Sequence, residues 1–213
     1  MAARPPGGAA SADDDRAAHA RAERRRQILE AAKEVFAEAG YHEASINAII
    51  ERAHIARGTF YLYFDGKAAV FDALLDEAMR ELRARITRID VEDPAAPPPH
   101  LQLRDGLVRV LDYVLGDRLL ATILLSGTTA TEAEAANRAG AFFGEVRSVI
   151  RTALEQGIQM KLVRPCNVEV TSAALLGLVR GVVEHLVTTA SPPAATEVVA
   201  EMIAVALRGV LNA

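Results

Sequence analysis

Arg57, Gly58, Thr59, Tyr61 and Tyr63 crowd hydrogen-bond donors and one glycine onto one side of a very short stretch that runs on through Asp65 and Gly66 to Lys67. Phe60 and Phe64, four residues apart, share the other side, with Ile49 and Ile55 as the apolar residues they would pack on. Packing explains the aromatic pair. It does not explain the polar side, whose shape suits a DNA major groove, where side chains reach base edges and phosphates. Gly58 would let the backbone approach DNA closely, at the expense of helix propensity.

Lys67 supplies a separate argument. A cation in the first turn of a helix opposes the positive end of the macrodipole, so something negative should lie nearby. A DNA phosphate bound jointly by the helix terminus and the ammonium group would satisfy both, and Ser45 could do the same at the start of the preceding short helix. The plain alternative, a solvated surface lysine, stands beside it. Arg24, Arg25 and Arg26, preceded by Arg16 and Arg21, form a basic run ahead of the first apolar helix face. That run reads equally as a flexible arm reaching the DNA backbone or minor groove and as a solvated helix start.

The elements that must position these residues can be traced from spacing. Ile28, Leu29, Ala32, Val35, Phe36 and Ala39 fall on one helical face, and Gly40 stands where a residue after the helix end takes a left-handed conformation. Ser45 can cap a short second helix to about residue 53, and a third covers roughly 57–64, so two short helices joined by a tight turn give a helix-turn-helix. A long fourth helix from Lys67 carries Val70, Phe71, Leu74, Leu75, Ala78, Met79 and Leu82 on one face and ends before the prolines at 94 and 97–99. Further helices are expected at about 100–115, 117–126 and 131–161, with a turn through Ser126 to Thr129. A C-terminal pair follows, one capped by Asn167 and the other by Ser191 with Pro192 in its first turn.

Composition agrees with an all-α chain. Hydrophobic residues make up 51% of the sequence while aromatics are only 5% and tryptophan is absent, which favours helix over sheet. The expected domains are a disordered tail over 1–20, a helix-turn-helix head over 21–67 and a helical body over 68–213. A net charge of −4 excludes indiscriminate coating of nucleic acid but not a local basic surface. The single cysteine, Cys166, cannot form an internal disulfide, and Arg180 and Glu184 interrupt the most apolar stretch, so a cytoplasmic chain with no membrane span is expected. The histidines at 19, 42, 54, 100 and 185 are dispersed. With no ligand-spaced pair, no nucleophile-base arrangement and no phosphate loop, neither a metal, a cofactor nor an enzyme is expected.

Residues 24–75 resemble the DNA-binding head of the tetracycline-repressor (TetR) family. The likeness rests on Phe36, Ala37, Glu38, Ala39, Gly40 and Tyr41 closing the first helix, on Ser45 to Ile49 in the second, and on the run from Ala56 to Lys67. It implies that Arg57, Gly58, Thr59 and Leu62 face the groove, that Tyr61, Tyr63, Ser45 and Lys67 hold phosphates, and that Asn47 can reach a base, asparagine being suited to adenine. Three positions depart from the family pattern: His54 where glycine is common, Ala56 where Ser or Thr would cap, and Ile50 where a small residue is usual.

For the body, the resemblance implies that the last two helices of each subunit pair into a homodimer, so that two heads read a palindromic operator in double-stranded DNA. Leu175, Leu176, Val179, Val182, Val183, Leu186 and Val187 form one broad stripe, with Ala174, Leu178 and Gly181 on a second side. The helices over 100–161 mix apolar residues with Thr122, Ser126, Thr128 and Asn137, which suits an apolar effector pocket and an ordinary core equally. A repressor released by a small apolar effector is the leading expectation, and a regulator that is constitutive or controlled by a protein partner is the alternative.

Overall fold

The computed structural model describes residues 9–126 and 133–210, and among them all regular structure is α-helical. In chain order the helices are α1 (Ala9–Glu43), α2 (Ile46–Arg52), α3 (Arg57–Tyr61), α4 (Lys67–Arg85), α5 (Pro99–Gly116), α6 (Arg118–Ser126), α7 (Ala133–Gln159), α8 (Val168–Thr188) and α9 (Ala195–Val210). Two compact units divide inside α4, at Leu74 and Leu75, rather than at its first residue.

In the first unit the helical periodicity of α1 buries Ile28, Leu29, Ala31, Ala32, Val35 and Phe36. Gly40 then takes φ 75 and ψ 164, a positive-φ conformation nearly confined to glycine but extended rather than left-handed helical, and it kinks the chain before one further helical turn. The kink brings Tyr41 against Phe36 at 5.7 Å and against Phe71 at 4.9 Å, and Phe71 meets Phe36 edge-on at 5.5 Å. This aromatic cluster fastens the start of α4 to the end of α1. Ile49 and Phe60 are both wholly buried, so the two short helices hang on one residue each. Truncation of Phe60 to alanine would cost about 3–5 kcal/mol on that basis.

Helix starts follow their caps where a cap exists. The Ser45 hydroxyl accepts from the Ala48 backbone at 3.1 Å, and the Asn167 side chain accepts from Val170 at 3.1 Å. Two expectations are corrected. α1 is helical from Ala9, so the tail expected over 1–20 is helix from residue 9 on, while residues 1–8 lie outside the described residues. α9 starts at Ala195, not at Ser191 and Pro192, because Pro193 drives the residue before it out of the helical region. The expected turn through Thr128 and Thr129 lies outside the described residues.

The second unit packs Leu111 of α5, Ala121 of α6, Val183 and Leu186 of α8 and Val198, Val199 and Met202 of α9 into one core. Leu178, expected on the opposite side of α8, packs against this core. Arg118 donates to the carbonyl of Thr189 at 2.7 Å and so closes the C-terminal end of α8, and Arg180 lies over the Phe143 ring at 4.6 Å, joining α8 to α7. Among the described residues α8 is the one helix long and apolar enough to cross a membrane, yet it carries Glu169, Arg180 and Glu184.

Candidate nucleic-acid interface

The recognition segment is set by a tight turn and an uncapped start. His54 adopts φ 50, the left-handed conformation the turn requires, which histidine tolerates better than most side chains. Ala56 occupies the N-cap position of α3 in extended backbone and offers no side-chain hydrogen bond. α3 is shorter than expected, ending at Tyr61, after which Phe64 still donates to the Phe60 carbonyl at 3.1 Å. Phe60 faces inward, and Tyr61 and Leu62 are left 44% and 73% exposed. Gly58 has open space where a side chain would project.

Arg57 and Asn47 come together across the two short helices. Nη1 of Arg57 donates to Oδ1 of Asn47 at 3.0 Å, and the guanidinium lies 5.8 Å from the centre of the Tyr61 ring. The bidentate reading of adenine by asparagine needs both its oxygen and its amide nitrogen. With the oxygen engaged by Arg57, Asn47 is placed to orient the arginine.

Lys67 is partnered inside the chain. Its Nζ donates to the carbonyls of Tyr41 at 2.7 Å and His42 at 3.0 Å and lies 4.5 Å from the centre of the Tyr41 ring. These acceptors and the ring face offset the unfavourable macrodipole of α4, so a phosphate is not required to explain the lysine. An ammonium has three donors, which leaves one beyond these two bonds. Ser45 is exposed, and its hydroxyl caps α2; Thr59 and Tyr63 are half-buried at the edge of the same surface.

The basic run divides. Arg26 pairs with Glu23 at 2.6 Å, and the bond holds the Glu23 carboxyl below its ordinary range. Arg24 donates to Gln27 at 2.6 Å, while Arg21 lies over the Tyr63 ring at 5.9 Å and Arg25 over Phe64 at 5.4 Å. Two long-range ties escaped the reading of the sequence. Gln27 donates to the Ala53 carbonyl at 2.7 Å, and Arg52 bonds Glu34 and Glu38, each at 2.8 Å. The spacing of Glu34 and Glu38, four apart on α1, was the one local sign that a cation would face them. Together these ties brace α2 and the turn against α1.

Among the described residues no group of three or more His, Cys, Asp or Glu side chains is placed to hold a metal ion. What the surface offers is a guanidinium, hydroxyls, an exposed leucine and flanking arginines, a set suited to base edges and phosphates.

Comparison with known proteins agrees. The family model described as bacterial regulatory proteins, tetR family, matches residues 28–74. The HTH-type transcriptional regulator YhgD of Bacillus subtilis is 23% identical over 156 residues, which span 73% of this chain and 80% of that protein. The fatty acid metabolism regulator protein of Bacillus subtilis is 34% identical over 97 residues, which span 46% of this chain and 48% of that protein. The solved structure of the transcriptional regulator FadR from Bacillus subtilis, in complex with stearoyl-CoA, superposes with a TM-score of 0.72 at 20% identity, covering 86% of this chain and 98% of that one. That likeness establishes the fold of the body as well as the head. Residues 28–74 thus match the model of the tetR family of bacterial regulatory proteins in sequence, and the chain shares the fold of the transcriptional regulator FadR.

Proposed function

We propose that the protein is a homodimeric repressor that grips a palindromic operator through two copies of the Arg57 surface and releases it when a small apolar effector occupies the helical body. The observation that carries the reading is the Arg57 guanidinium held by Asn47 beside a 73% exposed Leu62. A held guanidinium matches the paired acceptors of guanine in the major groove, and a leucine matches the thymine methyl group. Thr59 faces the groove beside that pair, Ser45, Tyr61 and Tyr63 supply hydroxyls for phosphates, Gly58 keeps the approach open, and Lys67 adds its remaining donor.

Dimerisation through α8 and α9 is supported by their outward faces. Ala173, Ala174, Gly177 and Gly181 are exposed at helical spacing on α8 with Val170 at 65%, and α9 exposes Ala200, Ala204 and Val205 at 66%. Small and apolar residues in this arrangement suit close two-fold packing against the same helices of a second copy. Two heads on one dimer gain the affinity that a single short helix lacks. The fitting compartment is the cytoplasm, where the operator is.

For the effector, the FadR structure with stearoyl-CoA suggests a long-chain acyl compound. Such a ligand would release DNA by binding better to the form whose heads do not match the operator spacing. The test is to select an operator from random DNA, then titrate the complex with fatty acyl-CoA thioesters in a gel-shift assay. Release at micromolar ligand supports the reading, and an operator complex that persists while the body demonstrably binds the thioester contradicts it.

A further inference from the structure

The buried stripe of α1 does not stop where the core stops. Traced from Val35 through Ala31 and Ile28 toward the N-terminus, the same face continues as Arg24, Arg21, Ala20 and Ala17, all exposed. Across from them stand Leu62 and Tyr63, and these six residues line an open groove beside the recognition helix. Alanines replace the larger apolar residues on the side that would otherwise fill it, and arginines supply its charge. Both arginines are held over it. Arg21 lies against the Tyr63 ring, and Arg24 is tied to Gln27, which is itself tied to the helix-turn-helix turn at Ala53. The nearest glutamate on α1, Glu23, is engaged by Arg26 and does not line the groove.

We propose that this groove seats one strand of the operator's sugar-phosphate backbone, with Arg21 and Arg24 as its phosphate ligands and Ala17 and Ala20 as the small residues that admit it. The inference rests on the DNA-binding reading and extends the contact beyond the helix-turn-helix. Guanidinium groups bind phosphate through parallel N–H donors, and here two of them flank a phenol and a leucine already committed to the DNA-facing surface. Because Arg21 and Arg24 sit on a helix, they cannot thread a minor groove only about 6 Å wide as an extended arm would. They meet the backbone from outside and carry affinity without sequence preference.

The experiment measures operator affinity of the full chain against salt concentration, for the wild type, the R21A/R24A variant and the R21K/R24K variant, with helical content checked by circular dichroism. Each phosphate contact contributes about 0.9 to the slope of log affinity on log salt, so R21A/R24A, which removes two contacts from each of the dimer's two heads, is expected to lower the slope by about 4. It should also shorten the backbone footprint while selecting the same base sequence, and R21K/R24K should restore the slope. An R21A/R24A slope equal to that of the wild type overturns the groove assignment, as does a change in the selected sequence, which would make these residues base readers. A wild-type chain that selects no sequence and binds DNA without salt dependence would overturn the DNA-binding reading itself, a different outcome from the other two. A variant pair that keeps DNA binding but loses binding to an acidic protein would assign the groove to that partner and overturn the proposal.

Discussion

Nη1 of Arg57 and Oδ1 of Asn47, ten residues apart and on different helices, are joined at 3.0 Å. The arginine proposed to read a base is therefore held by the second helix as well as by its own.

Removing the asparagine should loosen the reading without removing the charge. In Asn47→Ala, discrimination at one base pair in each half-site should fall by about 1–3 kcal/mol, while the salt dependence of binding stays as in the wild type. Competition binding with single-base operator variants checks this. Loss of an adenine preference at a different position would show instead that Asn47 reads DNA independently.

α3 starts without a side-chain cap, although Ala56 already holds the extended backbone that a capping residue uses, at φ −74 and ψ 150. Ala56→Ser should therefore stabilise the head by about 1 kcal/mol, seen as a higher Tm. A lower Tm would mean that the hydroxyl disturbs the packing of the turn.

At His54 the backbone is left-handed and the side chain is exposed. His54→Gly removes the steric conflict between the β-carbon and the carbonyl, offset by the greater freedom of glycine in the unfolded chain, so a net gain of up to about 1 kcal/mol is expected. Thermal unfolding of the two proteins measures it, and a clear destabilisation would reveal a contact made by the imidazole that outweighs the strain.

The exposed small-residue face of α8 makes a sharp test of the proposed dimer. Gly181 has open space above it within the subunit, so Gly181→Glu should fold normally. In a two-fold interface it would bury a carboxylate against its own copy, and sedimentation should show a monomer with much weakened operator binding. A G181E protein that remains dimeric would place the interface elsewhere.

Glu38 is held below its ordinary carboxylate value of 4.5, first by its hydrogen bond to Arg52 and then by the charge of that arginine. A lowered folded-state pKa gives stability that is present above the unfolded value and lost as pH falls through the folded one. Glu38→Gln should accordingly be slightly less stable than the wild type at neutral pH, and the difference should close on acidification below about pH 4.5. Denaturant unfolding at a series of pH values reads it, and a difference that widens in acid would contradict the assignment.

What was legible in the sequence was what is decided over a few residues. Ser45 and Asn167 cap the helices they precede because a short polar side chain reaches a backbone amide three residues on. The helical spacing of Ile28, Leu29, Ala32 and Val35 marked the core face of α1. The missed features depend on distant parts of the chain. No local pattern predicts that Lys67 bonds carbonyls 25 and 26 residues earlier, and the spacing of Glu34 and Glu38 signals a facing cation without showing that it is Arg52. The misplaced start of α9 has a local cause, since Pro192 looked favourable as a first-turn residue until Pro193 was weighed beside it. The helical first turns of α1 carry no apolar face to signal them. Alanine and arginine there favour helix by propensity, without the burial that periodicity detects.

Leu62 and Tyr61 stand largely in water on a surface otherwise built of cations and hydroxyls. Covering them on DNA would add a negative heat-capacity change to an association whose charge-driven part comes from counterion release. Calorimetry at several temperatures and high salt would isolate that contribution. On the proposed reading, the surface is thus equipped to keep part of its grip where ionic attraction is screened, through the apolar area of Leu62 and the Tyr61 ring.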